Sequence, residues 1–191
     1  MMKKANFARD RAFSMIELMV VVSVMIVLAG LLIAALPGIQ TKVNRNKVLT
    51  FMAEIENGLS KYQIDFGAYP QNPAPGGGAG RTQAGIKGSS ILYQELSGDR
   101  DLDGEVDENE EIYVPKLDYD SNLNANPQRS TSAGGQYLVV DAFGNPMMYL
   151  ADPPNIDDDD RNTRNATYDL WSFAEGEEED EIKHIANWKT N

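Results

Sequence analysis

The apolar residues of this chain follow two patterns, one after the other. From Phe13 to Pro37 they are nearly continuous, and no charged residue lies between Leu18 and Gln40. About 20 such residues, rising about 1.5 Å each, cross the hydrocarbon core of a bilayer. Beyond Pro37 the apolar positions thin out to Val43, Val48, Leu49, Met52, Ile55, Leu59, Tyr62 and Ile64, roughly the spacing of one helix face. Together they predict one long helix from about Phe13 to about Asp65, apolar all round in its first half and amphipathic in its second. Phe66-Gly67-Ala68-Tyr69-Pro70 supplies the stop.

Further on the pattern becomes that of a small folded domain. Residues 71–90 are rich in Gly, Pro, Ala and Ser and read as a flexible loop. Their GGGAG run lacks the Gly-Lys-Ser/Thr ending of a phosphate-binding loop, so nucleotide binding is not expected. Ser89 to Leu96 reads as a short helix. Gly135–Asp141, Met147–Leu150 and Tyr168–Phe173 read as strands, with Ala142-Phe143-Gly144-Asn145-Pro146 as the turn between the first two. The expected fold class is α+β: a long N-terminal helix, membrane-spanning in its first half, packed on a small C-terminal antiparallel sheet. The expected layout is a basic leader over 1–12, a membrane segment over 13–36, its amphipathic continuation over 37–66, and a globular domain over 67–191.

Charge narrows the function. The chain has 17 basic and 29 acidic residues, a net charge of −12, and a nucleic-acid partner would call for a basic face instead. There is no cysteine, which removes disulfides, thiolate metal sites and cysteine nucleophiles. The single histidine, His184, reads as a surface or packing residue. No nucleophile–base constellation is visible, so an enzyme is not expected. Lys3, Lys4, Arg9 and Arg11 precede the apolar run, which predicts a single-pass topology with the C-terminal domain outside the cytoplasm.

One residue breaks the apolar run. Glu17 is a carboxylate in a segment bound for lipid, and such a group needs a partner or an interfacial position. The basic leader, Phe13 and Glu17 together resemble the class III signal of type IV pilins and type II secretion pseudopilins. In that family the leader ends in Gly, where this chain has Ala12. The resemblance implies cleavage between Ala12 and Phe13 by a prepilin peptidase, with Phe13 as the N-methylated first mature residue. Loss of residues 1–12 would leave 13 basic against 28 acidic residues, a charge of −15. It also implies a role for Glu17: its carboxylate neutralises the N-terminal ammonium of a neighbouring subunit as the filament assembles. Pairing offsets the cost of burying both charges.

Three further stretches extend the resemblance towards the major pseudopilins. Tyr62 to Pro70 is similar to their YxxDxGxYP pattern. Asp141 to Tyr149 is similar to their D-x-[WF]-G-N-P-x-x-Y hairpin. Tyr168-Asp169-Leu170 with Ser172, followed by Asn187-Trp188, is similar to their YD[IL]xS…NW ending. The stretch from about 71 to 135 is not covered. The family implies a pilin-like fold, self-association into a filament, and partnership with other pseudopilins and the inner-membrane secretion machinery. It implies an inner-membrane protein with a periplasmic domain.

The uncovered stretch contains its own chemistry. Asp99 to Glu110 fits a twelve-residue EF-hand-type loop. Asp99, Asp101 and Asp103 stand at positions one, three and five, Gly104 at the sharp turn, and Glu105 at position seven with its carbonyl. Asp107 stands at nine and Glu110 at the bidentate twelfth place. Ca²⁺ takes six to eight hard oxygen ligands, and the expected cofactor is a structural Ca²⁺. The same spacing also occurs in solvated acidic loops. The leading reading is therefore a structural subunit of a type II secretion pseudopilus. A type IV pilin or minor pilin for adhesion, motility or DNA uptake, and a non-polymerising membrane-anchored periplasmic binding module, remain open.

Overall fold

The computed structural model describes residues 13–73, 80–107 and 109–189. The expected leader, residues 1–12, lies outside them. Helix α1 runs from Met15 to Phe66, one residue beyond the expected end. The chain divides into two units after Gln40.

In the first unit every described side chain of α1 is exposed, including Ile16, Leu18, Val22, Met25, Leu28 and Leu32. A helix apolar on all sides has no polar face to offer water. This one is long and apolar enough to cross a membrane.

The second unit is built on the amphipathic half of α1. Val48, Phe51, Met52, Ile55 and Leu59 follow the helical repeat and are all buried. They share one core with Leu92, Tyr93 and Leu96 of helix α2 (Arg81–Leu96) and with Val139, Tyr149 and Leu170 from the strands. A 3-10 turn over Pro115–Leu117 and a short helix α3 (Tyr119–Asn122) follow α2. Among the described residues, five strands complete the unit: β1 Ser130–Ala133, β2 Gln136–Val139, β3 Met148–Ala151, β4 Tyr168–Ser172 and β5 Ile185–Ala186. They form an antiparallel pair, β1-β2, and an antiparallel sheet, β3-β4-β5. Strand β3 is buried on both faces. Tyr149 and Ala151 enter the main core, while Met148 and Leu150 join a second cluster with Ala84, Trp171 and Ala186. Alternation along a strand sends neighbours to opposite faces. The α+β class is as expected.

Two expectations are corrected. Residues 81–88 are helical, not loop, and only 74–79 of that stretch lie outside the description. The glycines there are packing residues: a Cβ on Gly88 would fall 1.9 Å from the Tyr149 carbonyl oxygen, and one on Gly85 would fall 2.8 Å from the Trp171 ring. Small side chains let α2 lie directly on β3 and β4. The second correction concerns the hairpin. Strand β2 does not pair along its length with β3; it pairs with β1, and the turn at Asp141–Pro146 is closed by a single bridge, Val140 to Pro146. β1 is polar, Ser-Thr-Ser-Ala, and lacks the alternation by which a strand is recognised.

Candidate functional sites: the helix start and the acidic loop

The residues that open α1 cap one another. The Ser14 N–H donates to Glu17 Oε2 at 2.9 Å, and the Ile16 N–H donates to Ser14 Oγ at 3.4 Å. Ser14-x-x-Glu17 is thus a capping arrangement, in which two of the helix's unpaired N–H groups find side-chain acceptors. Its sequence signal is Ser followed three residues later by Glu before an apolar run, and the intramembrane carboxylate overshadows it. Phe13 is exposed and borders Glu17. Ala12, on the other side of the expected cleavage point, lies outside the described residues.

The acidic loop begins where α2 ends. The Ser97 N–H returns to the Tyr93 carbonyl, and Gly98 turns the chain with φ +86°. Asp99 is then wholly buried. Its Oδ2 accepts from the Tyr93 hydroxyl at 2.8 Å and the Gly104 N–H at 3.0 Å, and its Oδ1 accepts from the Asp103 N–H at 3.1 Å. Asp103 Oδ1 accepts from the Glu105 N–H at 2.9 Å. These bonds wind the loop around its own carboxylates. Gly104 has φ +97°, and a Cβ there would meet the Tyr137 hydroxyl at 2.7 Å, so the sharp turn also needs its lack of side chain.

Of the six expected ligands, three converge. Carboxylate oxygens of Asp99, Asp101 and Asp103 lie within 4.8 Å of one another. Asp107 is exposed, and the little burial it has, with the charges of Asp101, Asp103, Glu110 and Asp99, raises its carboxyl above the ordinary value. The Glu105 side chain is exposed. Glu110 is engaged elsewhere: its Oε2 lies 3.1 Å from Nε of Arg100, whose Nη2 lies 3.6 Å from Glu95. Arg100 also stacks over the Phe66 ring, 5.3 Å from its centroid.

Sequence reasoning missed Arg100 and the tyrosines around the loop. Tyr93 stacks on Tyr137 at 5.0 Å, and Tyr119 meets Tyr137 edge-on at 4.9 Å. Burial and Asp99 push the Tyr93 hydroxyl far above the usual phenol range. The one available signal was Tyr93's place, six residues before Asp99 on the last turns of a helix. His184 is a packing residue: its Nε2 contacts the Glu177 carbonyl at 2.8 Å and its ring lies 4.8 Å from Phe173. Asp180 pairs with Lys183 at 2.7 Å and belongs to no cluster of three or more potential metal-ligating side chains among the described residues.

The motif stretches interlock. Asp141 Oδ1 accepts from the Phe143 and Asn145 N–H groups at 2.8 and 2.9 Å, while its Oδ2 accepts from the Ser172 hydroxyl. Asn187 Oδ1 accepts from the Leu170 N–H at 3.1 Å, and Tyr149 donates to the Pro70 carbonyl at 2.8 Å. The helix end, the hairpin turn, β4 and the C-terminal Asn-Trp are therefore one hydrogen-bonded unit.

Curated proteins similar to this chain carry one name. Over 62 residues it is 37% identical to the type II secretion system core protein G of Klebsiella pneumoniae, covering 32% of this chain and 44% of that protein. The protein of that name from Escherichia coli K12 is 34% identical over 62 residues, 32% and 43% of the two lengths. That from Vibrio cholerae is 33% identical over 69 residues, 36% and 46%. The chain resembles the type II secretion major pseudopilins. It spans less than half the length of these pseudopilin relatives. Neither a protein-family model nor a solved structure matches it.

Proposed function

We propose that the chain is a structural, non-enzymatic subunit of a type II secretion pseudopilus. One observation carries this reading: a helix apolar on every side, opened by a carboxylate, in a chain whose curated relatives are all named for the core of that secretion system. Those names favour it over a type IV pilin for adhesion, motility or DNA uptake, and over a non-polymerising binding module. Residues 13–36 anchor the subunit in the inner membrane, and the domain faces the periplasm. A prepilin peptidase cleaves between Ala12 and Phe13 and methylates the new amine. Glu17, held before assembly by its own Ser14 N–H, exchanges that bond for the ammonium of a neighbouring Phe13. The exchange keeps the carboxylate paired at every stage, which a group entering an apolar helix bundle requires.

The loop from Asp99 to Glu110 takes Ca²⁺ as a structural staple. Asp99, Asp101 and Asp103 form the preassembled part of the site. Asp107 and the Glu105 carbonyl complete it, together with Glu110 once it leaves Arg100. A divalent ion relieves the repulsion among these carboxylates, and Mg²⁺ suits the site less because it gives up water reluctantly.

Mass spectrometry of the mature protein tests the first reading. A start at methylated Phe13 is expected, with assembly and secretion lost in Glu17→Ala. An intact leader, or normal assembly in that variant, overturns it. Terbium luminescence excited through Tyr93 tests the second; Ca²⁺ should quench it, and Asp103→Ala should abolish it.

A further inference from the structure

Residues 41–191 carry 13 basic and 27 acidic residues, a net charge of −14. Copies of so acidic a domain repel one another. The amphipathic half of α1 departs from that charge. Its outer face, opposite the buried Val48, Phe51, Ile55 and Leu59, exposes Lys42, Asn46, Thr50, Ala53, Asn57 and Lys61. About 28 Å of helix lies between the two lysines at about 1.5 Å per residue. There is no acid along it. The three acids of this half are all turned towards their own domain: Glu54 pairs with Lys116 at 2.6 Å, Glu56 is half-buried with its carboxyl raised by that burial, and Asp65 accepts from the Tyr113 hydroxyl at 2.8 Å. Neither Lys42 nor Lys61 has an acidic partner among the described residues.

The complement to this face lies on the same chain, in the β3–β4 connection. Asp157, Asp158, Asp159 and Asp160 are all exposed, and of the four only Asp158 has an ionic partner among the described residues, Arg161 at 2.6 Å. The run is held out on an anchored loop. Asp152 closes the loop by accepting from the Asn162 and Thr163 N–H groups, both at 2.8 Å. Residues 158–160 form a 3-10 turn.

We propose that the outer face of α1 between Lys42 and Lys61 seats the Asp157–Asp160 loop of a second copy of this chain. The lysines neutralise the incoming carboxylates, and the side-chain amides of Asn46 and Asn57 offer them donors, while the Thr50 hydroxyl is taken by the Asn46 carbonyl of its own helix at 3.0 Å. The face cannot pair with itself, since that would set lysine against lysine. The contact is therefore between two different patches, and each copy keeps one of each for the next. Such heterologous contacts propagate into open-ended assemblies. The proposal rests on the filament reading above and supplies a lateral contact to it, outside the membrane.

The absence of cysteine allows a direct test on the full chain assembled in membranes. Ala53→Cys combined with Asp159→Cys should yield disulfide-linked dimers and higher ladders on oxidation, and Lys87→Cys with Asp159→Cys should not. Lys42→Glu with Lys61→Glu should cut the cross-link about tenfold, the sum of two exposed ion pairs. Adding Asp157→Lys and Asp160→Lys should restore it. All these positions are exposed, and thermal melts would verify that each variant folds. If filaments form but the 53–159 pair stays uncrosslinked, or if the thiol introduced at position 53 links to a different protein, this contact is wrong and the filament reading stands. If the unsubstituted chain forms no filament, both fall.

Discussion

The Tyr93 hydroxyl donates to the buried carboxylate of Asp99 at 2.8 Å, joining the last turns of α2 to the start of the acidic loop. Asp99 is the one member of the converging carboxylate trio with no access to water, while Asp101 and Asp103 are exposed. A buried carboxylate is tolerable only when its oxygens are bonded. The loop's shape is therefore set by protein donors to Asp99: one phenol and two backbone N–H groups.

Removing that donor should weaken the loop. Tyr93→Phe should destabilise the domain by about 1–2 kcal/mol, because Asp99 Oδ2 loses a partner while remaining buried. The deficit should shrink when Ca²⁺ is present, since a cation replaces the missing donor. Urea denaturation with Ca²⁺ and with EDTA measures both values. An equal loss in the two conditions would separate Asp99 from the metal.

Under the calcium-loop proposal, Arg100 would compete with Ca²⁺ for Glu110, which it holds at 3.1 Å. The two side chains of this pair are 38% and 35% exposed, so its contribution to stability is small, below about 0.5 kcal/mol. Its effect on binding is expected to be larger. Arg100→Gln frees the twelfth-position carboxylate and should raise Ca²⁺ affinity severalfold with little change in melting temperature. Calorimetric titration of the two proteins checks this; unchanged affinity would mean that Glu110 is not a ligand.

Asp141 predicts a pH dependence. Burial raises its carboxyl above the ordinary 3.8, although Ser172, Asn145, Phe143 and Gly144 oppose the shift by hydrogen bonding. The folded state therefore holds this proton more tightly than the unfolded state. The resulting stability is full below the ordinary value and declines as pH rises from there through the raised one. Asp141→Asn keeps an acceptor for the Phe143 and Asn145 N–H groups and should lack this decline. Melting temperatures from pH 3 upward should diverge between the two proteins in favour of the Asn variant. Parallel curves would place the titration elsewhere.

Asp152 should act in the opposite sense. Burial alone would raise its carboxyl, but the N–H groups of Thr163 and Asn162 and their side chains bring it below the ordinary value. Its contribution is present above the ordinary carboxylate value and is lost as pH falls through the lowered one. Limited proteolysis of the 153–161 loop should accelerate in that acid range, and Asp152→Ala should accelerate it at neutral pH as well.

Gly88 offers the sharpest test of the fold. A methyl group there would overlap the Tyr149 carbonyl oxygen, which is backbone and cannot rotate away. Although alanine is the better helix former, Gly88→Ala should cost about 1–3 kcal/mol through overpacking, read by chemical denaturation. Gain of stability would mean that α2 does not lie against β3.

What could be read from the chain alone is whatever depends on neighbours in sequence. The continuous apolar run and the 3.6-residue repeat defined α1 to within a residue at its C-terminal end. The spacing of Asp99, Asp101, Asp103 and Gly104 defined the turn that brings three carboxylates together, because each bond in it joins residues two to five apart. Only tertiary structure decided the rest. Gly85 and Gly88 look like linker residues until β3 and β4 are laid against them. The polar β1 becomes a strand because β2 satisfies its backbone. Arg100 lies over Phe66 only because the loop after α2 comes against the end of α1. These features depend on partners supplied by distant parts of the chain, and a local pattern carries no information about which partner will arrive.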